Sequence, residues 1–165
     1  MEKMYEKGTF GYDLNYLSDK DSQLVVLKSD NGKAQLIASA KYQAKVFTST
    51  ANGEEGNSHG FVNYKFFDSE VIDEHMNGFG GENRFWLGPE GGQYSIYFAP
   101  GKEQVYDNWH TPKAIDIEEW IMENVSVNSA VFTKTMELNN YKGSVLNVAV
   151  KRKISYAVFC LKKKK

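Results

Sequence analysis

Short β-prone runs separated by tight turns set the fold that this chain can adopt. The clearest pair is 23–29 and 34–39, which are joined by a turn that contains Asn31 and Gly32. Both residues tolerate positive φ angles, so an Asn-Gly pair between two such runs is a strong signal of a β-hairpin. A third run, 43–50, follows directly and also precedes an Asn-Gly pair. The sequence therefore predicts three antiparallel strands in this part of the chain.

Similar runs continue toward the C-terminus. Residues 83–88 and 93–100 flank a Pro-Glu-Gly-Gly turn, and residues 129–138 and 144–157 flank a second polar turn. Each pair indicates two strands joined by a short loop. Residues 60–67 alternate aromatic with polar side chains, which indicates a half-buried strand.

One window, 114–125, combines helical spacing with β-prone residues. Its flanks are rich in β-prone residues, so we expect a strand from Trp120 onward. Short strands at regular spacing, separated by polar turns, are typical of an antiparallel β-sandwich. We therefore predict a mainly β fold of this kind.

The composition is that of one globular domain. Apolar residues make up 41% and charged residues 25% of the 165 residues, which suffices for one sizeable core. A single cysteine, Cys160, excludes an internal disulfide framework and a multi-Cys metal site. No two histidines have the i, i+4 spacing of metal ligands, and the paired glycines do not fit a nucleotide-binding loop. We therefore expect no metal and no cofactor.

The chain lacks the signals of a membrane protein. It has no run of about 18 or more apolar residues, so we expect no membrane span. Residues 1–13 have no apolar stretch that could act as a signal peptide. As given, the chain is expected in the cytoplasm, or in the periplasm or outside the cell if a leader is missing from it.

Charge is distributed unevenly along the chain. The formal net charge is −1, but residues 1–150 carry 13 basic and 21 acidic residues, a net charge of −8. A nucleic-acid-binding protein normally spreads a basic face over its fold, so we expect no nucleic-acid partner. The lysines at 162–165 are expected to be a solvated end.

The stretch 80–98 holds the residue types that a sugar site needs. It contains two paired glycines, two glutamates, Arg84 and several aromatic residues. The Arg84 guanidinium can donate two parallel hydrogen bonds to sugar oxygens, and an aromatic face can cover a sugar ring. The structural alternative is an ion pair of Arg84 with Glu82 or Glu90.

Other residues of this stretch complete the predicted sugar site. Glu82 and Glu90 can accept hydrogen bonds from sugar hydroxyls or act as acid and base, although a carboxylate in a turn is commonly just solvated. Trp86 can stack on a sugar, or it can pack in the core. The predicted sugar-binding residues are Glu82, Asn83, Arg84, Trp86, Glu90 and Trp109.

The three histidines are candidates for proton transfer near neutral pH. His75 lies in DEHMN and His110 in DNWHTP, with carboxylate and aromatic residues near them in sequence, whereas His59 lies in a Gly, Asn and Ser stretch. We therefore predict His75 and His110 as the catalytic candidates. An ordinary packing or surface role is the alternative for each.

Four segments resemble an uncharacterised bacterial family related in fold to galactose mutarotase (aldose 1-epimerase). They are GTFGYDLNYL, AKVFTSTANGEEGNSHGFVNY, NGFGGENRFWLGPEGGQYSIYF and WHTPKAIDIEEW. The glycine-rich segment is the most specific, and it is similar to the strand-turn-strand that lines the cleft of mutarotase-like proteins. The resemblance implies a mutarotase-like supersandwich over residues 1–154, with a sugar bound on a concave sheet face.

The resemblance also implies a chemistry. Mutarotases interconvert the α and β anomers of a sugar by opening its ring: a base takes the anomeric proton, and an acid protonates the ring oxygen. In that family a histidine is the acid, and a glutamate near the C-terminal end is the base. By this resemblance Arg84 holds the sugar, His75 or His110 donates the proton, and the base lies outside this chain.

Mutarotase-like domains are considerably longer than this chain, and the resemblance covers only their N-terminal half. We therefore expect a partial supersandwich, a basic and non-native ending at residues 155–165, and self-association through unpaired sheet edges. The alternative is a self-sufficient sandwich. Three functions follow from these readings: a carbohydrate-binding protein, a sugar-active enzyme such as an aldose 1-epimerase, and a truncated fragment without activity.

Overall fold

The computed structural model describes residues 4–155, in which six strands form two antiparallel sheets. The strands are β1 (Val25–Lys28), β2 (Gln35–Ser39), β3 (Lys45–Thr50), β4 (Ile121–Val125), β5 (Ser129–Asn139) and β6 (Val145–Ser155). Strands β1, β2 and β3 form the N-terminal sheet in that order, and β4, β5 and β6 form the C-terminal sheet. The fold is therefore mainly β, and the two sheets are consistent with the predicted antiparallel sandwich.

Both hairpins expected from the turn chemistry at 30–32 and 140–143 are confirmed. Gly32 lies between β1 and β2 with a φ of 67°, a conformation that glycine adopts without the steric penalty of a Cβ atom. Strands β5 and β6 pair along their full length. The strand predicted after Trp120 is confirmed as β4, and the run 43–50 contains β3.

The described residues also form three short α-helices, and the sequence predicted none of them as a helix. They are α1 (Phe10–Lys20), α2 (Tyr64–Ser69) and α3 (Lys113–Asp116), and a 3₁₀ turn lies at Tyr106–Asn108. The hydroxyl of Thr9 caps α1 by accepting a hydrogen bond from the Tyr12 backbone N–H at 3.4 Å.

The prediction of a strand over residues 60–67 is wrong, because α2 begins inside this run. Asn63 precedes the helix, and its side-chain oxygen accepts a hydrogen bond from the Phe66 backbone N–H at 3.3 Å. This local capping bond favours the helical turn over an extended strand. Phe67 is then buried, whereas Phe66 is only half-buried.

The strands predicted at 83–88 and 93–100 are also wrong, because the segment that connects the two sheets forms no strand. A few of its backbone groups bond to β3, such as the Glu82 N–H to the Val46 carbonyl at 2.8 Å, but no continuous ladder forms. The Ser95 carbonyl, by contrast, accepts a hydrogen bond from the Tyr141 backbone N–H at 2.7 Å. This long connection supplies most of the side chains of the candidate site.

One core lies between the two sheets. Leu36 and Ala38 of β2 belong to the same buried cluster as Phe132 and Met136 of β5, together with Trp120. Removal of these apolar side chains from water is the main force that holds the sheets together.

A second core lies on the other side of the N-terminal sheet. Ile37 and Phe47 of that sheet pack with Phe10 and Leu17 of α1 and with Phe67 of α2. The N-terminal sheet is therefore covered on both faces, which explains why every residue of β2 and β3 is buried.

Strands β4 and β6 form the two edges of the C-terminal sheet, and self-association through such edges stays a prediction. None of the helices in the described part of the chain has the length and apolarity that a bilayer crossing requires. The predicted basic tail lies outside the described residues except for Ser155, and so does Cys160.

Candidate functional site

Arg84 is held by a carboxylate of α3. Its Nη2 atom donates to Oδ1 of Asp116 at 2.5 Å, and its Nη1 atom lies 3.4 Å from the Asn77 carbonyl oxygen. The second oxygen of Asp116 accepts hydrogen bonds from the backbone N–H and the side-chain amide of Asn77, both at 2.8 Å. One buried carboxylate therefore holds both Asn77 and Arg84 against α3.

The two glutamates near Arg84 in sequence have other partners. Glu82 accepts a hydrogen bond from the Ser49 hydroxyl at 2.6 Å, and Glu90 accepts one from the Trp86 indole N–H at 2.8 Å. The sequence left open an ion pair of Arg84 with Glu82 or Glu90. The structure pairs Arg84 with Asp116 instead.

Asn83 links the two sheets. Its side-chain oxygen accepts hydrogen bonds from the Val46 backbone N–H and from Nη2 of Arg152, both at 3.2 Å.

Lys45 lies nearby and is 2% exposed. Its burial, together with the charge of Arg84, lowers the pKa of Lys45 to about 8.

Six rings stack in one column beside Arg84. Trp86, Tyr97 and Trp109 contact one another, and Tyr106, His75 and His110 follow from Trp109 in that order. Neighbouring ring centroids are 4.5 to 6.4 Å apart, and the planes differ by 6° to 28°. The Arg84 guanidinium extends this ring column, because its central carbon lies 4.8 Å from the Trp86 ring. The column brings together four residues that the sequence predicted for the site.

The two histidines at the end of the column have one nitrogen each bound to a backbone carbonyl. Nδ1 of His75 lies 2.5 Å from the Trp109 oxygen, and Nδ1 of His110 lies 3.1 Å from the Glu74 oxygen. A carbonyl only accepts, so the Nδ1 atom of each ring is the donor in these bonds. His59 is exposed, as His110 is, but it is not one of the rings of the ring column.

A cavity of about 680 Å³ opens at the His110 end of the column, and we call it the main cavity. Its walls come from loops and from α3, and only residues 137–139 of β5 belong to a strand. Its polar side chains are Asp73, Glu74, Asn77, His110, Thr111, Lys113, Asp116, Glu137 and Asn139. Tyr97 and Phe98 contribute aromatic surface. The main cavity therefore combines apolar surface with several hydrogen-bonding groups.

The charge of the main cavity is negative. Four carboxylates line it, those of Asp73, Glu74, Asp116 and Glu137, against the single ammonium of Lys113. The ion pair with Arg84 neutralises Asp116. Among the described lining residues, the other three carboxylates still outnumber the ammonium of Lys113. Such a lining disfavours an anionic ligand.

A family model described as a family of unknown function (DUF6786) matches residues 8–159. The chain belongs to this family. No curated protein and no solved structure matches it. The family description names no ligand and no reaction, so the resemblance to galactose mutarotase stays a prediction.

Among the residues predicted for the site of this DUF6786 chain, His110 lines the main cavity. His75, Trp86 and Trp109 lie in the ring column, and Arg84 is positioned through Asp116. Glu82, Asn83 and Glu90 are not among the residues that line the main cavity, and their role in sugar binding stays a prediction.

The sequence missed several cavity residues of the DUF6786 chain. Asp116 lies in the WHTPKAIDIEEW segment, whose resemblance was a usable signal, and Tyr97 lies in the aromatic run of QYSIYF. Asn77, Glu137 and Asn139 carry no local signal, because the fold alone brings them to the main cavity. Within residues 4–155, no three or more His, Cys, Asp or Glu side chains are grouped to hold a metal ion.

Proposed function

We propose that this DUF6786 chain is a carbohydrate-binding protein that holds a neutral sugar in the main cavity. We also propose that its two sheets are part of a galactose mutarotase-like supersandwich, as the sequence resemblance implies. The fold proposal is supported by two antiparallel sheets that share one core.

The observation that carries the binding proposal is the position of His110. This residue ends the ring column and lines the main cavity, which Glu137 and Asn139 also line. A sugar presents apolar C–H faces and a ring of hydroxyls, so it needs flat apolar surface next to donors and acceptors. A volume of about 680 Å³ lies within the range of small-ligand sites.

A second candidate function is turnover of the bound sugar. It is favoured by His110, whose Nδ1 is bound to a carbonyl and whose Nε2 is the second ring nitrogen, in a cavity that also holds the carboxylates of Glu137 and Asp73. Anomer interconversion needs one group that removes the hydroxyl proton and one that protonates the ring oxygen. Here the carboxylates of the main cavity offer a base within the chain itself.

Binding is tested by isothermal titration of the chain with glucose, galactose, mannose and xylose. At least one sugar should bind, and His110→Ala should weaken its binding about tenfold or more, because a hydrogen bond and a stacked face are lost. His59→Ala, at an exposed site, is the matched control and should leave binding unchanged. Binding of none of these sugars would contradict the proposal and favour a fragment without activity.

Turnover is tested separately by polarimetry on freshly dissolved α-glucose and α-galactose. Acceleration that is lost in His110→Ala and kept in His59→Ala would support the enzyme. Binding without acceleration would leave the carbohydrate-binding function and contradict turnover of these two sugars.

A further inference from the structure

A second cavity adjoins the main cavity. Its volume is about 390 Å³, and Asp73 and Phe98 line both. The remaining wall includes the Trp109 and Tyr106 rings of the ring column. The two cavities therefore share part of one wall, and Asp73 and Phe98 form this junction.

The second cavity differs from the main cavity in character. Its wall includes Met76, Val105 and Tyr106, which are 43%, 42% and 69% exposed. Apolar side chains at this exposure, grouped around one opening, are a costly arrangement in a free protein and mark a binding surface. The main cavity holds most of the carboxylates, and the second cavity adds exposed aromatic and aliphatic surface to the polar groups of Asp73 and Gln104.

The junction offers a hydrogen-bond acceptor. The backbone N–H groups of His75 and Met76 donate to Oδ1 of Asp73, at 2.8 and 3.1 Å. These two bonds hold the carboxylate in place, and they also lower the pKa of Asp73. Both bonds end on Oδ1, and a carboxylate has a second oxygen that can accept a hydrogen bond from a ligand hydroxyl.

We infer that the ligand is an oligosaccharide, with one sugar unit in the main cavity and the next unit against Tyr106 and Trp109 in the second cavity. This inference rests on the proposed function. The second sugar places its apolar C–H face on the exposed rings, and hydroxyls near the glycosidic bond face Asp73. A free monosaccharide would leave the apolar surface of the second cavity in water.

The test compares the affinities of monosaccharides with those of disaccharides by isothermal titration. The probes are glucose and galactose against cellobiose, maltose, lactose and melibiose. At least one disaccharide should bind about tenfold more tightly than its component monosaccharides, the gain expected from covering roughly 60 Å² of apolar surface. Equal affinities of monosaccharide and disaccharides would overturn the inference while leaving the proposed function intact. Binding of neither class would overturn both.

Tyr106→Ala should remove the disaccharide gain, measured as the ratio of the disaccharide affinity to the monosaccharide affinity of the same variant. Tyr94→Ala is the matched control, because Tyr94 is also exposed, at 53%, and lines neither cavity. Val105→Asp is a second variant that leaves the ring column complete and should reduce the same gain. A disaccharide gain that survives both Tyr106→Ala and Val105→Asp would overturn the inference.

Discussion

The guanidinium of Arg84 and the carboxylate of Asp116 form an ion pair in which Nη2 and Oδ1 are 2.5 Å apart. The Asp116 side chain is 4% exposed and also accepts two hydrogen bonds from Asn77. Asn77 and Asp116 both line the main cavity, whereas Arg84 stacks on Trp86 at the other end of the ring column. This ion pair therefore connects the wall of the cavity to the column.

Asp116→Asn should lower the free energy of unfolding by about 3 kcal/mol, because it leaves the Arg84 charge without its carboxylate in a largely buried setting. Urea denaturation followed by far-UV circular dichroism measures this change. Asp107→Asn is the matched control, since Asp107 is exposed in the 3₁₀ turn. Equal stabilities of the two variants would show that the ion pair contributes nothing to the fold.

The buried ammonium of Lys45 makes stability depend on pH. Its pKa in the folded chain is about 8, against an ordinary value of 10.5. Between these values the unfolded chain binds more protons than the folded chain, so the free energy of unfolding rises with pH. Below pH 8 the ammonium is charged in both states, and its full desolvation cost is present.

Lys45→Met should abolish this rise. Between pH 8 and 10 the wild type should gain roughly 1 kcal/mol per pH unit relative to the variant, as measured by urea unfolding. Burial raises the pKa of Tyr97 to about 12, so above pH 10 this tyrosine ionises more readily in the unfolded chain and the free energy of unfolding falls. The series therefore ends at pH 10. Lys142→Met, at an exposed turn, should keep the wild-type slope. Parallel curves for wild type and Lys45→Met would contradict the prediction.

The acidic lining of the main cavity predicts a preference for neutral sugars. Glucuronate should bind about fivefold or more weakly than glucose at low ionic strength, because it brings a carboxylate close to Glu74 and Glu137. Added salt should narrow the difference. Glu137→Gln should also narrow the affinity difference between glucose and glucuronate, whereas Glu123→Gln, on β4, should leave this difference unchanged. Glucuronate binding as tightly as glucose would contradict the acidic lining as a selectivity device.

The sequence predicted the sheets well where local turn chemistry decides the structure. Gly32 and Gly143 both have positive φ angles, of 67° and 86°, in the turns that join β1 to β2 and β5 to β6. Helix α1 was missed, although Thr9, Asp13 and Leu17 have the spacing of a cap, a first-turn acid and an apolar face.

The candidate site was predicted only in part, because its geometry depends on contacts between distant segments. Sequence neighbours favoured His75 and His110 over His59, and the structure stacks the first two with centroids 5.0 Å apart. The strands predicted around Arg84 are absent from the described residues, since aromatic stacking and the Asp116 carboxylate hold that segment instead. No local pattern in the sequence could place Asp116 against Arg84.

The most direct test of sugar binding in the main cavity is the imidazole spectrum of the three histidines. In a ¹H–¹⁵N NMR titration of the ¹⁵N-labelled chain, glucose, galactose, mannose and xylose are added in turn. We predict that at least one sugar shifts the ring resonances of His110, and of the stacked His75, while those of the exposed His59 stay unchanged. If no sugar moves the His110 resonances, or if only those of His59 move, the main cavity is not a sugar site.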